Sequence, residues 1–216
     1  MNGDLLERLV AAGMGAAPAQ AKATLFEQVE QRLLAMRGRS RAADILRFFV
    51  PGRIEVLGKH TDYAGGRSLL CAAERGICIA AVPRDDATLH LVDVIGDREA
   101  EIPFSMDTSS RSHWLGYVTA VARRLAGNFP GALRGADIVF GSDLPRAAGM
   151  SSSSTLVVAI FAALSGVNHL FDRAEYKSNI RSDADLATYL ACIENGQSLG
   201  TLAGDSGVGT HGGSED

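Results

Sequence analysis

Three segments of the sequence concentrate residues that could do chemistry. The densest is Asp143-Leu144-Pro145-Arg146-Ala147-Ala148-Gly149-Met150-Ser151-Ser152-Ser153-Ser154. Its small residues let backbone approach a ligand closely. A helix opening on the serines would offer unsatisfied first-turn N–H groups and partial positive charge to an anion. The hydroxyls add donors, and one could ligate a metal through oxygen. A single serine is enough to cap a helix, so four leave both a phosphate cradle and simple capping open on the residues alone. The chain has no GxxxxGK[ST] sequence, which excludes a P-loop.

The second segment is Pro51-Gly52-Arg53-Ile54-Glu55-Val56-Leu57-Gly58-Lys59-His60-Thr61-Asp62-Tyr63-Ala64-Gly65-Gly66. Arg, Lys, His, Asp and Tyr crowd one strand and the loop after it. That mixture can hydrogen-bond a polyol or an anion, and it equally suits a polar turn with a structural histidine. The third segment, Gly209-Thr210-His211-Gly212-Gly213-Ser214-Glu215-Asp216, ends in two carboxylates. Taken alone it reads as a frayed terminus.

The elements that must hold these segments follow from periodicity. Residues 1–10 and Ala23–Met36 have helical spacing, with Leu25, Phe26, Val29, Leu33 and Leu34 on one stripe and Gly38 as the stop. Strands are expected at Ile45–Val50, Arg53–Leu57, Leu69–Ala73, Gly76–Val82, Thr88–Val94 and Ala100–Phe104, with Pro51-Gly52 breaking the first pair. Further helices are expected at His113–Leu125, Ser151–Leu164 and Ala184–Asn195, with a short strand at Gly135–Phe140 between the first two. The glycines of 196–213 suggest a mobile loop. A block of strands followed by a block of helices argues for an α+β fold.

The 216 residues carry 21 Lys plus Arg against 25 Asp plus Glu, a net charge of −4, with 46% hydrophobic residues. This composition excludes disordered, collagenous and coiled-coil chains. With no clustered basic face, nucleic acid is not an expected partner. The three cysteines, Cys71, Cys78 and Cys192, have apolar neighbours and no CxxC spacing, so buried free thiols in a reducing compartment are expected. The longest apolar run, Leu156 to Leu164, is half of a membrane span, and the first residues have no leader pattern. Cytoplasm, without a membrane partner, is the expectation.

Together the three segments resemble the GHMP kinase superfamily, and within it the galactokinase branch. The Pro51–Gly66 segment is similar to the galactokinase signature, and Gly149-Met150-Ser151-Ser152-Ser153 to the family's second motif. Trp114-Leu115-Gly116-Tyr117-Val118 is similar to a helix between them, and Gly213–Asp216 to the segment bearing the family's catalytic aspartate. The likeness covers roughly residues 45–216. It implies a lobe like the second domain of ribosomal protein S5, as the N-terminal half of a two-lobed kinase whose second lobe is largely absent here. Residues 1–40 would form a helical extension, 41–183 the lobe itself, and 184–216 the start of the following helix and catalytic loop.

The resemblance also implies transfer of phosphate from ATP, with Mg²⁺, to the anomeric hydroxyl of galactose or a similar sugar. Arg53 would sit beside the transferring phosphate and Asp216 would activate the sugar hydroxyl. Lys59, His60, Asp62 and Tyr63 would face the sugar. Gly149, Ser151, Ser152 and Ser153 would cradle the phosphates, and Ser153 with Glu194 would bind the metal. Such chemistry needs positioning and charge neutralisation more than covalent intermediates.

Three positions depart from the family pattern. Lys59 replaces a glutamate that accepts a sugar hydroxyl, and lysine can only donate. Glu55 replaces an asparagine, and Val157 stands where many relatives carry an acid. Lys59 therefore either meets a sugar oxygen, faces an anionic group such as a uronate, or points to solvent. A non-catalytic relative that binds sugar or ATP as a sensor is the competing expectation. The 216 residues by themselves are expected to turn over weakly or not at all.

Overall fold

The structure, a computed structural model, describes residues 2–37, 45–58, 66–108, 113–131, 133–145 and 149–208. Two helices come first, α1 (Asn2–Ala11) and α2 (Ala16–Arg37). Four strands follow: β1 (Leu46–Leu57), β2 (Leu69–Pro83), β3 (Thr88–Asp93) and β4 (Arg98–Pro103). Then come α3 (His113–Asn128), β5 (Ala136–Ser142), α4 (Ser152–Val167), α5 (Ala174–Asn179) and α6 (Asp183–Asn195). The sheet runs β1-β2-β5-β3-β4, antiparallel except where β5 lies parallel to β3. This is the α+β lobe expected from the strand-then-helix order.

Hydrophobicity sorts the layers. On one face of the sheet, α3, α4 and α6 close a core around Ile79, Leu91, Val121, Leu125, Ile138, Ile160 and Leu164. The opposite face is covered by α2, whose Val29 and Leu33 meet Ala80, Val82 and Val139, and whose Phe26 meets Cys78. The sheet is therefore buried on both sides, which explains why β5 is apolar at nearly every position.

Two expected strand pairs fuse. Residues 46–57 form one strand through Pro51-Gly52, with a register shift between Pro51 and Arg53. Proline is tolerated there because β1 is an edge strand and the shift takes up the missing donor. Residues 69–83 likewise form one long strand, in which Gly76 pairs with Pro51. α5 was not expected, because its six residues are too few to show a period. The stop at Gly38 lies outside the described residues.

The glycine-rich stretch after α6 is held down over residues 196–208, contrary to the mobile loop expected. Arg124 of α3 is fully buried and donates to the carbonyls of Cys192 (2.5 Å), Gln197 and Ala203. Its neighbour Arg123 binds Asp205 and the Gly207 carbonyl, both at 2.8 Å. A side chain on Gly204 would strike the Gly196 carbonyl, so glycine here serves close backbone packing. Cys78 and Cys192 are buried free thiols as expected. Cys71 is exposed, because it lies on the arm of β2 that extends beyond the helices.

Candidate functional site

The site forms where β5 ends and α4 begins. β5 delivers the chain to Asp143, Leu144 and Pro145, and the chain re-enters α4 through Gly149, Met150 and Ser151. Gly149 (φ 66°) and Ser151 (φ 50°) both adopt left-handed backbone. A serine in that region carries about 1–2 kcal/mol of local strain. Ser151 does not cap the helix with its side chain. Its hydroxyl instead accepts from Arg53 Nε at 3.0 Å. The N-terminus of α4 thus keeps its first-turn N–H groups free of a serine cap, next to a guanidinium.

The bulge in β1 places Arg53 there. The Arg53 N–H donates to the Met150 carbonyl at 3.3 Å. Gly52 lies so close that a Cβ would come within 2.5 Å of Leu144 Cδ2 and 3.0 Å of Met150 O. Glycine is required by this approach of strand to loop. Two of the three segments singled out in the sequence are therefore in direct contact, although 98 positions separate Arg53 from Ser151.

A cavity of about 750 Å³ opens beside the serines. Ile77, Phe140, Leu144 and Leu156 supply apolar wall, Trp114 and Tyr117 of α3 supply aromatic rings, and Ser152 and Ser153 stand at one side. The turn between β3 and β4 makes the rim. There Asp93, almost fully buried, accepts from the Ile95 (3.1 Å) and Gly96 (2.8 Å) N–H groups and pairs with Arg98. The Arg98 guanidinium lies 5.0 Å from the centre of the Trp114 ring, a cation–π contact that fixes the indole. A cavity with two aromatic rings in its wall beside a helix N-terminus suits a ligand with an aromatic ring at one end and phosphates at the other.

In α4's first turn, the Ser154 hydroxyl donates to Glu194 Oε2 at 3.1 Å. Both residues are 8% exposed. Ser153, the serine expected to bind metal, lies on the cavity wall one position away. Hydroxyl and carboxylate oxygens are donors that suit a hard cation such as Mg²⁺, which is commonly held by one or two carboxylates together with substrate phosphates. Among the described residues no three His, Cys, Asp or Glu side chains group as a metal site of their own. Val157 is 1% exposed and part of the core, so a buried apolar side chain stands at this position of α4.

Arg53, Gly149, Ser151, Ser152, Ser153 and Glu194 are thus gathered around the start of α4. Lys59, His60, Asp62, Tyr63 and Asp216 lie outside the described residues. Sequence reasoning missed the β3–β4 rim, Arg98 and Ser154. The Trp114-to-Tyr117 spacing was the one available signal for the cavity, since residues three apart share a helix face.

Comparison with known proteins accords with this geometry. Residues 38–83 match the model of the galactokinase galactose-binding signature, and residues 116–210 match that of the GHMP kinases N terminal domain. A galactokinase from Roseiflexus sp. (strain RS-1) is 40% identical over 124 residues, which are 56% of this chain and 30% of that protein. Among solved structures, Lactococcus lactis galactokinase complexed with galactose superposes with a TM-score of 0.68 at 21% identity, over 89% of this chain and 45% of that one. Methanococcus jannaschii mevalonate kinase gives 0.55 at 14% identity, over 71% and 47%. The chain therefore spans less than half the length of these relatives. Among the described residues no helix is long and apolar enough to cross a membrane.

Proposed function

The chain belongs to the GHMP kinase superfamily, on its galactokinase branch, and from that premise we propose that it forms the sugar- and phosphate-binding half of a kinase that phosphorylates the anomeric hydroxyl of galactose or a galactose-like sugar. The observation that carries this reading is the hydrogen bond from Arg53 to Ser151, which brings the sugar-signature strand onto the serine loop.

In this proposal ATP lies with its base in the cavity against Trp114 and Tyr117 and its phosphates at the N-terminus of α4. Backbone N–H groups and the hydroxyls of Ser151, Ser152 and Ser153 bind the phosphate oxygens. Arg53 offsets charge on the γ-phosphoryl group, whose equatorial oxygens carry most of it in the transition state. Ser153 and Glu194 would be the residues to hold Mg²⁺, which neutralises phosphate charge when bound; their oxygen donors suit it by type, and Glu194 meets Ser154, the residue after Ser153. His60, Asp62 and Tyr63 orient the sugar. The C1 oxygen forms its bond to the γ-phosphorus as the bond to the β–γ bridging oxygen breaks. The electron pair leaves with ADP, and the hydroxyl proton passes to Asp216. Soluble expression in the cytoplasm would accord with this chemistry.

Lys59 favours a second reading of the substrate. A cation in place of an acceptor suits a sugar with an anionic group, such as a uronate. Both readings are tested by ADP release from the complete reading frame, supplied with aldoses, uronates and amino sugars. The expected result is turnover with a galactose-configured sugar that disappears in Asp216→Ala. Sugar binding without turnover would favour a sensor, and turnover that survives Asp216→Ala would overturn the assignment of the base.

A further inference from the structure

The N-terminal helices have no part in the chemistry above, yet one of their residues pairs with the chain segment that leads into the serine loop. The buried stripe of α2 runs through Ala19, Ala23, Phe26, Val29 and Leu33, all under 4% exposed. Lys22 lies on the same stripe, at 2% exposure, where the helical period calls for an apolar residue. Its ammonium pairs with Asp143 and lies 5.8 Å from the centre of the Phe49 ring. Lysine is seldom buried without a specific partner, and an ion pair of this kind adds little to stability compared with an apolar pair of the same shape. Its value must then lie in what it fixes.

It fixes the point where the chain leaves the sheet for the serine loop. Asp143 is the first residue after β5. Its Oδ1 accepts the Gly76 N–H at 2.8 Å, and its own N–H donates to the Gly76 carbonyl at 3.2 Å. Lys22 takes the other carboxylate oxygen. Asp143 is thus clamped by α2 and β2 together. Its neighbours Ser142, Leu144 and Pro145 line the cavity beside Ser152 and Ser153. At 35% exposure the Asp143 side chain could turn to water if the cation were lost, and the chain leading to the serines would lose its anchor.

We propose that Lys22 is a positioning residue, which acts through Asp143 to hold the serine loop in register for the phosphates of a nucleotide. This rests on the nucleotide reading of the cavity given above. Since Lys22 is buried, its action is through placement of the loop and not through contact with phosphate.

The test is calorimetric titration of the chain with ADP and with adenosine, in the parent, Lys22→Met and Asp143→Ala. Both variants should raise the ADP dissociation constant by about tenfold, the effect of one lost or misplaced hydrogen bond. Both should leave adenosine within about twofold, because the base part of the cavity does not depend on the clamp. The Asp143→Ala arm separates placement from plain charge. Removing an acid near the phosphates would tighten ADP if only Coulomb attraction mattered, whereas loss of the clamp loosens it. An unchanged or tighter ADP affinity in Asp143→Ala would overturn the proposal, as would equal loss of ADP and adenosine in both variants, which would mark a general folding role. If the parent binds neither ligand, the nucleotide reading itself fails and this inference falls with it.

Discussion

Replacing Gly52 by alanine tests whether the strand and the serine loop are as closely fitted as the geometry implies. The added methyl would lie 2.5 Å from Leu144 Cδ2 and 3.0 Å from the Met150 carbonyl oxygen. Leu144 can rotate away, but only by moving a side chain that forms the cavity wall. The Met150 carbonyl cannot move without weakening its bond to the Arg53 N–H. Forcing a methylene-sized group into such a contact costs about 1–3 kcal/mol, and losing the backbone bond adds about 1 kcal/mol. The stiffer unfolded chain returns about 0.4–1 kcal/mol. The net is a destabilisation of roughly 1–3.6 kcal/mol, and a chain of this size loses about 2–4 °C in Tm for each kcal/mol. Gly116→Ala is the control. It lies in α3 with nothing within 4 Å of the new methyl, so it should gain about 0.5–1 kcal/mol from helix propensity. Thermal unfolding of the two variants, followed by ADP titration, reads both quantities. If Gly52→Ala melts with the parent and binds ADP equally well, strand and loop are not in the contact described, and the role given to Arg53 loses its structural support.

Thiol reactivity should divide sharply among the three cysteines. Burial pushes the Cys78 thiol up to about 12, with the nearby Lys22 opposing that rise and Asp143 adding to it, and burial also raises Cys192. Alkylation at neutral pH followed by mass spectrometry should therefore label the exposed Cys71 in the folded protein and the other two only after denaturation. Lys59→Glu should raise affinity and turnover for galactose in the complete reading frame, because it restores an acceptor to the sugar loop. Equal galactose kinetics before and after that change would remove Lys59 from the substrate site.

Legibility in the sequence differed between the elements and their contacts. Helices α3, α4 and α6 were readable because their apolar residues repeat at helical spacing over three turns or more. Strands β1 and β2 were read as pairs because Pro51-Gly52 and the polar Glu74-Arg75 look like breaks. In three dimensions an edge position and a register shift absorb them. The serine loop and Arg53 were legible as residue types, yet nothing local showed that they touch. Lys22 was invisible because the helix read from periodicity began at Ala23, one residue after it, and nothing local pointed to its partner Asp143, 121 residues away. The glycines after α6 misled, since composition alone does not separate glycine used for freedom from glycine used for close packing against Gly196 and Asp205.

The most direct measurement uses the protein's single tryptophan, Trp114, which lines the cavity beside Ser152 and Ser153. Titrating ADP with Mg²⁺ while following Trp114 fluorescence should give a saturable change. In the same titration with a non-hydrolysable ATP analogue, Arg53→Ala should shift the curve to higher ligand by about tenfold or more, because the charge-assisted partner proposed for the γ-phosphate is lost. An ADP-binding signal from calorimetry with no change at Trp114, or a curve untouched by Arg53→Ala, would contradict the claim that the cavity and the serine loop form one nucleotide site.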